Sequence, residues 1–278
     1  MKAKKSLGQN FLKSRAALGA ILRAADVAEG DTMLEIGPGK GVLTESLLNE
    51  VGENGKVIAV EKDHRMVGFL QEKFAKEIKN KKLTLIHDDI LDIDIEKHPL
   101  LTKNYSLIAN IPYYITGQIL RKFLQSKNQP ERIVLMVQKE VAKRIVAADG
   151  KESILSISVK VFGTPKYIQT VPARYFSPAP KVDSAILLIE NIQNPFLSQF
   201  QTRTTCPSLE LGQEEQVGEV GFFELLKKGF ASKRKLLTNN LSCDGEVLRS
   251  CDIPIKARAE NLSVENWLCL SKKMSEKN

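Results

Sequence analysis

From about residue 15 to residue 190, apolar positions at helical spacing alternate with short runs that are apolar throughout. Ala16 to Ala28 carries its apolar positions on one helical face. Thr32–Ile36 (TMLEI) predicts a strand that runs into glycines. Lys56–Val60 (KVIAV) predicts a second, ending at Glu61, and Leu83–Ile86 a third, ending at His87-Asp88-Asp89. Tyr105–Ala109 (YSLIA) is a fourth, followed by Asn110, and Ile133–Val137 a fifth. Helical patterns fit between them at roughly 42–51, 64–79, 116–126 and 139–147, while 154–162 and 184–190 predict two more strands. Strand-helix alternation of this kind predicts an α/β domain over 1–190, with a mostly parallel sheet covered on both faces. Residues 191–221 lose the periodicity and predict a linker or insertion. Helical patterning resumes in 222–278 with FFELLKKGFASKRKLLTNNL, which predicts a small helical domain.

Ligands of such sheets sit beyond the carboxyl ends of the strands. Gly37, Glu61, Asp89 and Asn110 each follow a predicted strand directly, and so mark one shared crevice. The turn Glu35-Ile-Gly-Pro-Gly-Lys-Gly41, with Gly37 and Gly39, lets the backbone fold tightly and come close to a ligand. Its spacing is G-x-G-x-G, not the G-x-G-x-x-G of a dinucleotide site. The acid before the turn, Glu35, suits a ligand with an ammonium group. A carboxylate at Glu61 can accept from both hydroxyls of a ribose. A carboxylate in IHDDILD can accept from an exocyclic adenine amine, and Asp88 and Asp89 are equal chemical candidates for that contact.

Asn110-Ile-Pro-Tyr113 is the most specific pattern. An exocyclic adenine amine is a poor nucleophile because its lone pair is delocalised into the ring. Acceptors aimed at its two hydrogens hold the nitrogen toward tetrahedral geometry as charge develops. The Asn110 side-chain oxygen and a backbone carbonyl can do this. Pro112 biases Ile111 to an extended conformation that fixes where its carbonyl points, and Tyr113 offers an aromatic face to an extruded base.

Charge supports a polyanionic partner. Among 278 residues, 41 Lys and Arg stand against 33 Asp and Glu, for a net charge of +8. The excess is segmental: residues 1–25 carry Lys2, Lys4, Lys5, Lys13, Arg15 and Arg23 and no acid, whereas 191–221 carry acids and only Arg203. Such clustering is what a phosphate backbone attracts. The cysteines, Cys206, Cys243, Cys251 and Cys269, lack metal-ligand spacing and are expected as thiols of a reducing compartment. No apolar run approaches the roughly 20 residues that span a bilayer, and the basic N-terminus lacks an apolar signal core. A cytoplasmic protein is expected, with no metal and no membrane partner.

Asn110-Ile-Pro-Tyr113 after Glu35-Ile-Gly-Pro-Gly-Lys-Gly41 resembles the adenine-amine methyltransferases of ribosomal RNA. Gly8-Gln-Asn-Phe-Leu12 resembles their N-terminal signature, and Val171-Pro-Ala-Arg-Tyr-Phe-Ser-Pro-Ala-Pro-Lys-Val-Asp-Ser184 a late loop of that family. Phe230-Ala-Ser-Lys-Arg-Lys-Leu-Leu-Thr-Asn-Asn-Leu241 is similar to a C-terminal helix of the branch that dimethylates small-subunit RNA. The resemblance implies a Rossmann-like class I methyltransferase domain, S-adenosylmethionine as cofactor, and a ribosomal particle as partner of a monomeric enzyme. It further implies that Asn10 and Leu12 line the cofactor pocket beside Gly37, Gly39, Glu61, Asp89 and Asn110, and it favours Asp89 over Asp88. Phe176 would close on the target base opposite Tyr113, although between Tyr175 and Ser177-Pro178 it also suits an ordinary packed loop. The macrolide-resistance methyltransferases of large-subunit RNA share the catalytic motifs; GQNFL and FASKRKLLTNNL favour the small-subunit branch. A non-enzymatic nucleic-acid-binding relative fits the intact Asn110 motif poorly, as does a dehydrogenase.

Overall fold

The computed structural model describes residue 4 and residues 8–98, 104–198 and 211–275. Lys2, Lys5, Arg203 and Cys206 lie outside these described residues. The chain divides into two compact units, 1–142 with 163–193, and 143–162 with 194–278.

The first unit opens with β1 (Phe11–Leu12) and α1 (Arg15–Ala25) and continues through β2 (Thr32–Ile36), α2 (Val42–Glu50), β3 (Lys56–Glu61), α3 (His64–Lys73), α4 (Ala75–Lys79) and β4 (Leu83–His87). After β5 (Ser106–Ala109), α5 (Thr116–Leu124) and β6 (Arg132–Gln138), helix α6 (Lys139–Val146) holds the boundary between the units. The second unit then takes α7 (Ile154–Lys160), and the chain returns to the first for β7 (Thr164–Val171), β8 (Phe176–Ser177) and β9 (Ser184–Glu190).

Seven strands form one sheet in the order β4-β3-β2-β5-β6-β9-β7. The first five run parallel, and β9 pairs antiparallel with both β6 and β7. The chain winds outward from β2 to β4, then comes back to lay β5 against the other side of β2. The switch point therefore lies between β2 and β5, where an open α/β sheet leaves a crevice beyond its strand ends. The central strands are buried on both faces: Met33, Leu34, Val57, Leu107, Ile108, Ile133 and Leu135 are essentially inaccessible, which explains their near-continuous apolar runs. Helix α1 begins at Ser14, whose hydroxyl accepts from the Ala17 amide. It buries Ala17, Ala20 and Ile21 in the core that also holds Val171, Phe176 and Ile186.

Four expectations change here. Where a strand is expected over 154–162, Ile154–Lys160 form helix α7. Ile157, Val159 and Val161 mimic strand alternation, but Ser153 and Ser156 cap each other reciprocally and start a helix. Helix α7 packs on α9 (Leu211–Gly229), and Phe162 lies 6.0 Å from Phe196 and 6.2 Å from Phe223 between ring centres. That packing carries 143–162 into the second unit. The expected linker is partly helical as well: α8 (Pro195–Ser198) falls inside it and α9 starts at Leu211, not at 222. Glycines at 212, 218 and 221 blur the periodicity of a stretch whose Gln and Glu suit a helix.

The second unit ends with α10 (Leu237–Leu241), α11 (Gly245–Arg249) and α12 (Val264–Ser275). Fully buried Trp267 on α12 stacks on Phe230, with ring centres 5.6 Å apart. It also covers Gly229 so closely that an added Cβ would lie 2.2 Å from the indole. The chain turns there. Asn240 donates to the carbonyls of Gly229 (2.6 Å) and Ser232 (2.9 Å), so Lys233-Arg234-Lys235 sits in an exposed turn between α9 and α10 and not on a helix. The cysteine expectation also fails for one pair. Packing of α12 on α11 brings Cys251 and Cys269 to a Cα separation of 5.7 Å, and they form a disulfide. The thiols therefore carry no argument about compartment. No described helix is long and apolar enough to cross a membrane.

Candidate active site

The residues at the ends of β2, β3, β4 and β5 line one cavity of about 270 Å³, of the order that small-molecule sites occupy. Gly37, Gly39, Glu61 and Asp89 are on its wall, as are Asn110 and Tyr113; Asn10 and Leu12 reach it from the N-terminal segment.

The glycine turn is shaped by its backbone. Gly37 has φ +69°, which L side chains avoid, and apart from its chain neighbours no atom of the described residues lies within 4 Å of where its Cβ would be. The space beside it is left for a ligand. Gly39, at φ +56°, lies against the Phe11 ring, 3.0 Å from its hypothetical Cβ. Glu61 is buried and both its oxygens accept backbone bonds, from Gly39 N at 3.0 Å and from Asp63 N at 2.8 Å. Burial raises its pKa, and each oxygen keeps a lone pair for a further donor. Glu61 thus ties the glycine turn to the end of β3 while facing the cavity.

Glu35 is 1% exposed, and burial pushes its pKa up to about 7. Its Oε2 has no hydrogen-bond partner among the described residues. A buried carboxyl oxygen without a donor is costly, and it lies on the cavity wall.

At the end of β4 both Asp88 and Asp89 border the cavity, and the geometry separates them. Asp88 is exposed and caps the Asp89 amide at 2.7 Å. Asp89 is half-buried, accepts from the Leu91 amide at 3.0 Å, and is ion-paired to Lys62. Burial pushes its pKa up, but the Lys62 and Leu91 bonds outweigh this and hold it below the usual carboxylate value.

Asn110 follows β5. Its Nδ2 donates one N–H to the Asn10 carbonyl at 3.3 Å, which orients the amide and leaves the side-chain oxygen as an acceptor without a donor among the described residues. Tyr113 is half-buried with its hydroxyl 2.7 Å from Ser184 Oγ, so the ring is fixed from both ends.

Phe176 is the one candidate that the structure does not bring into this cavity. It is 2% exposed, pairs with Leu12 in the short β1–β8 ribbon, and belongs to the hydrophobic core. A link that the sequence did not suggest is Gln9 with Asp63. Gln9 donates to Asp63 at 3.0 Å, and Asp63, held well below the usual carboxylate range by Arg65, caps α3. This bond ties the Gly8–Leu12 strap to the end of β3.

Residues 1–204 match the family model described as ribosomal RNA adenine dimethylase. The chain belongs to this family. Among curated relatives, "Ribosomal RNA small subunit methyltransferase A" of Dehalococcoides mccartyi (strain BAV1) is 43% identical over 97% of this chain and 88% of its own length. The protein of the same name from Fusobacterium nucleatum is 34% identical over 98% of this chain and 97% of its own. A solved dimethyladenosine transferase from Plasmodium falciparum superposes with a TM-score of 0.76 at 25% identity, over 96% of this chain and 98% of that one. The 23S ribosomal RNA methyltransferase ErmE superposes with a TM-score of 0.69 at 23% identity, over 96% of this chain and 100% of that one, a likeness of fold.

The dimethylase fold is the Rossmann-like class I methyltransferase fold, and its methyl donor is S-adenosylmethionine. The cavity fits that molecule. Unpartnered Glu35 Oε2 suits its ammonium group, the open space at Gly37 would admit a ligand against the backbone, and Glu61 and Asp89 carry carboxylate oxygens of the kind that would accept from ribose hydroxyls and an adenine amine. On this assignment Glu61→Ala is expected to weaken cofactor binding by about 1.5–3 kcal/mol, because a charge-assisted hydrogen bond to the ribose is removed. Calorimetry on folded protein checks this; unchanged affinity would remove Glu61 from the ribose site.

Proposed function

We infer that the enzyme methylates N6 of two adjacent adenosines near the 3′ end of small-subunit (16S) ribosomal RNA, giving N6,N6-dimethyladenosines during ribosome biogenesis. The observation that carries this is the geometry of Asn110, whose amide nitrogen donates to the Asn10 carbonyl and whose oxygen is left to receive an amine at the cavity. The named small-subunit relatives support the choice of subunit. The reading places the enzyme in the cytoplasm, acting as a monomer on a ribosomal particle.

When bound, S-adenosylmethionine supplies an electrophilic methyl group. The protein's work is to place a nitrogen in line with it. Asn110 Oδ1 and the Ile111 carbonyl accept from the two N–H groups of the adenine amine and localise its lone pair. Pro112, at φ −57°, fixes the turn that carries them. Tyr113 offers its ring to the extruded base, held by Ser184. The methylated nitrogen then gives up its proton to water, with no side chain needed as a base. The resemblance assigns the opposite side of the base to Phe176, a role that would require β8 to move.

Supplying labelled S-adenosylmethionine and each purified, unmodified ribosomal subunit tests the substrate. Label is expected in the small subunit; label in the large subunit instead would overturn the assignment.

The helical second unit is assigned a role in holding RNA. Lys233, Arg234 and Lys235 are all exposed in their turn, and phosphate contacts hold a backbone without reading sequence. Lys233→Glu with Lys235→Glu is expected to weaken subunit binding and leave cofactor affinity unchanged. The log–log salt slope should flatten by about 0.7–0.9 for each phosphate that the turn no longer neutralises. Parallel salt curves of equal affinity would show that this turn does not touch RNA.

A further inference from the structure

We propose that Tyr114 is a stacking platform for the nucleotide next to the methylated adenosine, so that the site grips a pair of bases and not one. The proposal rests on the reading of the chain as an RNA adenine methyltransferase. Tyr114 is 68% exposed, the most exposed large apolar side chain among the described residues. A single exposed ring is ordinary on a protein surface; its position is what matters here. Tyr113 and Tyr114 are consecutive in the 3-10 turn Tyr113–Ile115. Successive side chains of such a turn diverge by roughly 120°, so one ring is half-buried against Ser184 and the other stands at the rim of the same cavity.

The rim ring is braced. Ile115 N donates to Pro112 O at 3.2 Å and closes the turn. Gly8, at φ +59°, packs against it so tightly that a Cβ there would lie 3.1 Å from Pro112 Cβ and 3.4 Å from Tyr114 Cε1. The N-terminal strap therefore supports one edge of the ring and leaves most of it in water. Exposed Gln118 and Lys62 also border the cavity, Lys62 as the ion-pair partner of Asp89. An exposed aromatic face is a surface on which any base can stack. The need for such a surface follows from base extrusion. When one adenosine enters the pocket beside Tyr113, its neighbour loses a stacking partner, and an aromatic face at the rim replaces it.

The test uses the full-length protein and single-stranded RNA in which 2-aminopurine lies immediately 5′ or 3′ of one adenosine. Its fluorescence falls when it stacks. Wild type and Tyr114→Phe are expected to bind alike and to quench the probe. Tyr114→Ala should bind about tenfold more weakly, the size of one base–aromatic stack, leave the bound probe bright, and keep wild-type affinity for S-adenosylmethionine. Wild-type methyl transfer to small subunits, measured in parallel, decides the substrate reading separately. Lost quenching in Tyr114→Ala without wild-type transfer would leave the platform standing and remove the subunit assignment. Equal affinity and equal quenching for Tyr114→Ala and wild type would overturn the platform.

Discussion

Asn110→Ala is expected to lower single-turnover methyl transfer by about 10²–10³-fold, the usual loss when one preorganised polar group facing developing charge is removed. The side chain is half-buried and makes one bond, to the Asn10 carbonyl, so the fold should survive. Asn110→Asp gives a useful contrast. It keeps an acceptor oxygen but cannot donate to Asn10, and its charge faces the same amine. If the oxygen is the active element, Asn110→Asp should retain more rate than Asn110→Ala at saturating cofactor. Rates near wild type for Asn110→Ala would show that another group polarises the amine.

Phe176→Ala should act first on stability. The ring is 2% exposed in a core shared with Ile186 and Val171, and truncating a buried Phe typically costs about 3–5 kcal/mol. Strand β8 also holds β1 through the Leu12–Phe176 pair, so the strap over the cavity should loosen along with the core. Denaturant unfolding measures the loss. A Phe176→Ala protein with wild-type stability and poor methyl transfer would instead show that the ring reaches the base, as the family resemblance implies.

The cavity is legible in the sequence because its parts sit at strand ends. TMLEI, KVIAV, LTLI and YSLIA are apolar runs that stop at a glycine, an acid or an asparagine, and parallel pairing turns four such stops into one wall. Other features depend on contacts that no local pattern records. Gln9 and Asp63 are 54 residues apart in sequence. Cys251 and Cys269 meet only because α12 packs on α11. The partners of Asp89, Lys62 and the Leu91 amide, are not written in its local pattern, and the preference for Asp89 over Asp88 comes from the resemblance. Residues 154–162 read as a strand because their β-branched alternation masks the serine capping box at Ser153 and Ser156. Lys233–Lys235 reads as helical because the apolar spacing continues past Gly229, whereas the indole of Trp267 and the Asn240 bonds end the helix there.

The central claim is that the Asn110 cavity dimethylates two neighbouring adenosines. It is tested most directly by reacting unmodified small subunits with the enzyme and S-adenosylmethionine, digesting the RNA and identifying the modified nucleosides by mass and position. The predicted result is N6,N6-dimethyladenosine at two adjacent positions near the 3′ end with wild type, and unmodified adenosine there with Asn110→Ala over the same reaction time. Methyl groups on another atom, on another base, or at the same yield with Asn110→Ala would contradict it.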